Sequence, residues 1–232
     1  MSTGRQFGDG ILFRVTNYVY WWLATEVLFV VAIAPLVLAL VFLDRDPSNA
    51  ILYALAALFL GPAIAATLHC ARKVLREDDL DPARDFWRGY RLNVAVLAFW
   101  APAVAMATIL LLDLGHLAGR SSDGATAQRI AILVVGLVGA LWLTNMLVIS
   151  ASFTFRRRDL ARLAVFYLGA SYRITLGNLA CLFLAGVLAV LASDWALLAA
   201  GSALVGLVAL NTTDLVAQVE ARFTPPAVEP PQ

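Results

Sequence analysis

Residues 18–43 read YVYWWLATEVLFVVAIAPLVLALVFL. Almost every position is apolar, whichever face of a helix or strand is drawn through it. A helix crosses a hydrocarbon core of roughly 30 Å with about 20 apolar residues. The 26 residues here are enough. A signal-peptide core spans only about 7–15 residues, so this segment reads as an uncleaved span. A membrane strand needs about 9–11 residues of alternating polarity, and no alternation is present. A helix also satisfies its own backbone groups in lipid, which a lone extended segment cannot do.

Outward from this run, apolar stretches of similar kind recur at about 50–70, 94–117, 130–153, 176–193 and 196–215. Turn chemistry separates them: DRDPSN at 44–49, a Gly/Ser/Asp loop at 119–128, and the short hairpin Asp194-Trp195. Of the 232 residues, 61% are hydrophobic and 14% charged, against about 25% charged in an ordinary soluble domain. Six spans of roughly 20 residues leave no room for a second large soluble domain. The expected fold is an all-α integral membrane protein, a six-transmembrane-helix bundle. Residues 1–17 would be a cytoplasmic N-terminal segment, 18–217 the membrane domain, and 218–232 a cytoplasmic Pro-rich tail.

Orientation follows from the basic residues, which number 17. With both termini in the cytoplasm, 14 fall on inner segments, and only Arg45, Arg120 and Arg129 fall outside. That bias predicts an N-in, C-in topology. Cys70 and Cys181 then lie toward the reducing side as free thiols, with no disulfide framework and no zinc spacing. A net charge of +1 gives no footprint for nucleic acid. Two basic, aromatic stretches, 86–93 and 166–178, each precede a span, with an aromatic pair, a glycine and a Tyr-Arg pair. They predict two cytoplasmic interfacial amphipathic helices and suggest an internal duplication of hairpins.

The stretch GPAIAATLHCARKVLREDDLDPARDFWRGYRLN at 61–93 carries a family resemblance. It combines the Gly61-Pro62-Ala63 step, a basic loop with an acidic tip at 72–81, and the motif Phe86, Trp87, Arg88, Gly89, Tyr90, Arg91, Leu92, Asn93, after a first span with a central Pro35. These features resemble the YesL-like family of bacterial integral membrane proteins. The resemblance implies a multi-pass protein of the bacterial inner (plasma) membrane, linked to carbohydrate uptake, with a sugar permease or its ATPase as partner. It implies no catalytic residue.

The residues themselves offer one candidate polar membrane site. Glu26 lies about eight residues into the first span, so roughly 12 Å along it. A carboxylate at the centre of a span costs about 2.5–3.5 kcal/mol on insertion scales and must face protein or water. Asn145 falls at a similar depth in the fourth span, beside Thr144, with His69 and the run Asn211-Thr212-Thr213-Asp214 shallower. Glu26, Asn145, His69 and Asp214 could line a cytoplasm-facing cavity, or could serve as interhelical bonds worth about 0.6 kcal/mol each. Pro35, Pro62 and Pro102 predict bends in the first three spans, and the last three contain no proline. Small residues four apart (57, 61, 65; 136, 140; 185, 189, 193; 202, 206) predict packing seams, within the chain or between copies in a homo-oligomer. Arg72, Lys73, Arg76 and Arg156–Arg158 are expected to meet anionic lipid. The acidic run Glu77, Asp78, Asp79, Asp81 lacks the glycine and spacing of a calcium loop. His69 and His116, on opposite faces, form no metal cluster. No G-x4-G-K-[ST], G-x-S-x-G or H-E-x-x-H occurs. The sequence therefore assigns no cofactor, metal or catalytic residue, and the resemblance implies a non-enzymatic accessory protein or regulator of a carbohydrate-uptake system. The alternative is a small secondary transporter with its polar site in the cytoplasmic half of the bundle.

Overall fold

The structure is a computed structural model that describes residues 11–75, 81–153 and 155–223, without the side chains of 11–15, 17 and 223. Among the described residues twelve α-helices follow one another: α1 (Ile11–Ala32), α2 (Ala34–Phe42), α3 (Ala50–Ala57), α4 (Leu60–Leu75), α5 (Pro82–Leu92), α6 (Leu97–His116), α7 (Asp123–Ser150), α8 (Arg157–Ala170), α9 (Tyr172–Val187), α10 (Asp194–Ala199), α11 (Gly201–Asn211) and α12 (Thr213–Phe223). No strand occurs among the described residues. Among the described residues four helical stretches are long and apolar enough to cross a membrane: Pro47–Leu75, Val94–His116, Asp123–Ser150 and Tyr172–Ala192. Two bent pairs bring the number to six if each pair is one span.

The first bend, 65°, separates Tyr18–Ala32 from Ala34–Phe42. Pro35 sits at the start of α2, where its missing N–H and the clash of its ring with the carbonyl four residues back stop α1 at Ile33. Pro62 and Pro102 behave otherwise. Each lies within a stretch that passes as a single span. Beside Pro62 the helix loosens only at Leu58-Phe59, where the Trp100 indole N–H donates to the Ala57 carbonyl at 2.9 Å.

The second bend, 48°, falls where the sequence has no proline. It separates Gly201–Asn211 from Thr213–Arg222, at two adjacent threonines that bond back to the helix. Thr212 Oγ1 donates to the Val208 carbonyl at 2.6 Å, and Thr213 Oγ1 to the Leu210 carbonyl at 2.9 Å. Such back-bonding competes with the main-chain ladder and bends helices. Helix also runs on to Phe223, beyond the 215 at which the sixth apolar stretch ends. Leu215, Val216 and Val219 are buried while Asp214, Gln218 and Glu220 are exposed. The chain thus has a third amphipathic helix, α12, besides the two expected at α5 and α8.

α4 is the centre of the bundle. The span that contains α4, Pro47–Leu75, is 44% buried, against 11% for the spans containing α6 and α9, which lie at the rim. Small residues explain this. Gly61, Ala63, Ala65 and Ala66 are buried along α4 and let neighbouring backbones approach. Gly61 faces the Trp100 ring and has no room for a Cβ. The 202/206 seam is filled within the chain: Trp22 covers Gly206, and Phe29 covers Gly201. Gly136, by contrast, has nothing within 4 Å of where a Cβ would stand.

The basic residues at the end of α4 turn inward rather than out to lipid. Arg72 donates to the Val148 carbonyl of α7 at 2.7 Å, and Lys73 pairs with buried Asp85 of α5 at 2.6 Å. A guanidinium near the last turn of α7 meets carbonyls that the helix leaves open. Arg76 and the acidic residues 77–79 lie outside the described residues, and Asp81 caps α5, accepting from the Arg84 N–H at 3.2 Å. At the opposite ends of the spans Arg45 pairs with Asp194, and Arg129 donates to the Leu117 and Arg120 carbonyls.

The suspected duplication appears as organisation. α4 folds back on α5, and α7 folds back on α8. Its register differs. In the first pair Phe86 is buried and Trp87 exposed, whereas in the second Phe166 is exposed and Tyr167 buried.

Candidate functional site

Polar side chains at depth fall into two groups on α11. The first is a chain of three asparagines. Asn211 Nδ2 donates to the Ile174 carbonyl at 2.9 Å and to Asn178 Oδ1 at 3.0 Å. Asn178 Nδ2 donates to Asn145 Oδ1 at 3.1 Å, and Asn145 Nδ2 to the Ala164 carbonyl at 3.3 Å. Four helices are tied in sequence: α11, α9, α7 and α8. Asn145 and Asn178 are each 1% exposed, so their amides have no recourse to water. Gly177 is what admits Asn211, because a Cβ there would occupy the place of the Asn211 amide.

The second group is Glu26 with Ser202. Glu26 Oε2 accepts from the Ser202 N–H at 2.9 Å and from the Ser202 hydroxyl. Ser202 stands at the second position of α11, whose N-cap residue, Ala200, has no side chain able to cap. The carboxylate from α1 supplies that cap across the interface, at the positive end of the helix dipole. Glu26 Oε1 is buried without a hydrogen-bond partner, as is Thr25 Oγ1.

The two groups are separated along α11 by nine residues, roughly 14 Å. The sequence put Glu26 and Asn145 at similar depth, but the helices place them at different levels. His69 is elsewhere again, with its Cβ 3.2 Å from where a Gly89 Cβ would stand and its Nε2 buried without a partner. Asp214 is exposed on α12. No hydrogen bond joins Glu26, Asn145, His69 and Asp214 to one another among the described residues. Ser202 stood in the sequence only as a small seam residue, Asn178 only as part of the repeat, and Gly177 not at all. A polar amide just inside the start of an apolar run was the available signal for Asn178.

The 86–93 motif divides by helix face. Pro82, Asp85, Phe86 and Gly89 are buried, the spacing of one helical stripe. Asn93 Nδ2 donates to the Gly89 carbonyl at 2.8 Å and closes the end of α5. Tyr90 is partly covered, and burial pushes its phenol above the ordinary value, so it stays neutral at physiological pH. Arg84, Trp87, Arg88 and Arg91 face outward and line a shallow cleft of about 680 Å³ with Ala83 and Leu92. A second cleft of about 550 Å³ lies between α8 and α12, where Arg222 stands over the Phe166 ring at 5.8 Å. Neither cleft is lined by Glu26, Asn145, His69 or Asp214. No group of three or more His, Cys, Asp or Glu that could hold a metal occurs among the described residues.

Residues 13–114 match the model of a family described as a protein of unknown function, DUF624. The match covers less than half of the chain and supports an uncharacterised family. It takes in Glu26, His69 and the 86–93 motif, while Asn145, Asn178, Ser202 and Asn211 lie beyond it. No curated protein and no solved structure matches the chain.

Proposed function

We propose that the chain is a non-enzymatic integral membrane protein that packs against, or regulates, a bacterial carbohydrate-uptake permease. The observation that carries this reading is the use made of polar groups at depth. Asn145, Asn178 and Asn211 bond to one another across helices, and Glu26 caps α11. Residues spent on holding helices together are what a scaffold requires. The spans containing α6 and α9, each 11% buried, offer wide apolar faces to lipid or to a partner's helices. The family match is consistent with a YesL-like protein, and the link to sugar uptake rests on that resemblance. Within the proposal each bent pair is one span. Six spans then run N-in, C-in through the inner membrane, and α5, α8 and α12 share the cytoplasmic end.

The test is purification from native membranes in mild detergent, with mass spectrometry of co-purifying chains. Sugar-permease subunits or their ATPase in stoichiometric yield support the reading. A pure homo-oligomer that moves a labelled sugar into vesicles overturns it. That outcome would favour the second reading, a small transporter. The buried, unpartnered Glu26 Oε1 beside the break between α10 and α11 is the observation in its favour, since interrupted helices build many transporter sites. Flux that Glu26→Gln abolishes would identify that reading specifically.

A further inference from the structure

The outward face of α5 has a charge balance that its sequence conceals. PARDFWRGYRL carries three arginines and one aspartate. The aspartate does not share their face: Asp85 is buried and paired with Lys73 of α4 at 2.6 Å. Asp81, just before the helix, accepts from the backbone N–H of Arg84. The guanidiniums of Arg84, Arg88 and Arg91 are left together on one stripe, at spacings of four and three residues, with no ion pair among the described residues. Trp87 stands between them, 40% exposed and held edge-on by Phe86 at 5.9 Å and Tyr90 at 5.7 Å. These side chains border the cleft of about 680 Å³, with exposed Leu92 at its far edge.

We infer that this face of α5 is a binding site for the phosphate headgroup of an anionic phospholipid. Guanidinium forks recognise phosphate oxygens bidentately, and tryptophan favours the headgroup level of a bilayer. Leu92 and Trp87 supply the apolar border that a lipid glycerol needs and a free anion does not. Because Phe86, Gly89 and the Asp85–Lys73 pair fix the opposite face to α4, the arginines are presented from a rigid helix. The inference rests on the membrane reading of the fold and is independent of any permease partner.

The experiment uses the full chain in phosphatidylcholine nanodiscs, titrated with a dansyl-labelled phosphatidylglycerol and read by energy transfer from protein tryptophan. A basic residue near an anionic surface is worth about 1 kcal/mol, which is about fivefold in affinity. The triple variant R84Q/R88Q/R91Q should therefore weaken binding on the order of a hundredfold. The variant R162Q/R173Q/R222Q removes the same charge from exposed arginines of α8, α9 and α12 and should shift it far less. R84K/R88K/R91K keeps the charge without the fork, should fall between wild type and the glutamine triple, and gives a readout if the glutamine triple fails to fold. Equal losses in the two glutamine triples, or no preference for labelled phosphatidylglycerol over labelled phosphatidylcholine, would overturn the inference. So would displacement of the label by inorganic phosphate or by an acidic peptide, which would mark a site for a free anion or for a protein.

Discussion

Asn178 is the middle member of the asparagine chain. It accepts from Asn211 and donates to Asn145, so its loss takes one bond from each and leaves the buried Asn145 Oδ1 without its donor. Interhelical bonds in membranes average about 0.6 kcal/mol and reach about 1.7. Asn178→Ala is expected to cost about 1–2 kcal/mol, read as a lower unfolding midpoint in a detergent titration. Gly177→Ala should act through the same network, because its methyl group displaces the Asn211 amide. A double-mutant cycle of Gly177→Ala with Asn211→Ala should then be strongly non-additive; full additivity would show that the glycine matters for another reason. Lys73→Met leaves the Asp85 carboxylate buried without its cation. An unsatisfied buried group costs about 1–3 kcal/mol, so this variant should destabilise far more than Arg91→Gln on the exposed face of α5.

At the scale of elements, the two bends have different chemical causes and should respond to different substitutions. Pro35→Ala restores an N–H and removes the ring clash with the Val31 carbonyl, which should straighten α1 into α2. Thr212→Val with Thr213→Val removes the back-bonds and should relax the 48° bend between α11 and α12. Spin-label distances across each break give the readout, and an unchanged distance in the threonine double variant would falsify the back-bonding account. The prolines were visible in the sequence, but only Pro35 makes a sharp bend. The threonine bend was not visible, because a threonine in an apolar run reads equally well as interhelical glue. α12 was missed for a related reason: its buried stripe of Leu215, Val216 and Val219 is too short to register as a span and too apolar to register as a tail.

For the whole molecule, the prediction is topological. If six spans run N-in, C-in, single cysteines placed at exposed Arg88 and Arg158 should be labelled from the same side by an impermeant maleimide. One at exposed Arg120 should be labelled from the other side. Cys70 is buried and should be silent in the folded protein. Labelling of Arg88 and Arg120 from one face would break the six-span reading. The ends of the bundle are also chemically distinct. Three amphipathic helices and most arginines belong to one end. At the other, Arg45 and Arg129 are occupied by Asp194 and by main-chain carbonyls.

The amino-acid sequence by itself determined that the chain is helical, with stretches long and apolar enough to cross a membrane, because unbroken apolar runs of spanning length admit few other structures. It also determined where the runs begin to fail and which segments between them are amphipathic, since both follow from local composition and period. Tertiary structure alone decided which polar residues meet. Glu26 bonds to Ser202, 176 positions away, and Asn145 to Asn178, 33 positions away. Such pairings depend on helix rotation and crossing, which glycines such as Gly177, Gly201 and Gly206 set by the room they leave for the facing Asn211, Phe29 and Trp22 side chains. In an apolar solvent no hydrophobic force sorts one helix face from another, so packing and a few hydrogen bonds make that choice, and neither can be read along a single strand of letters.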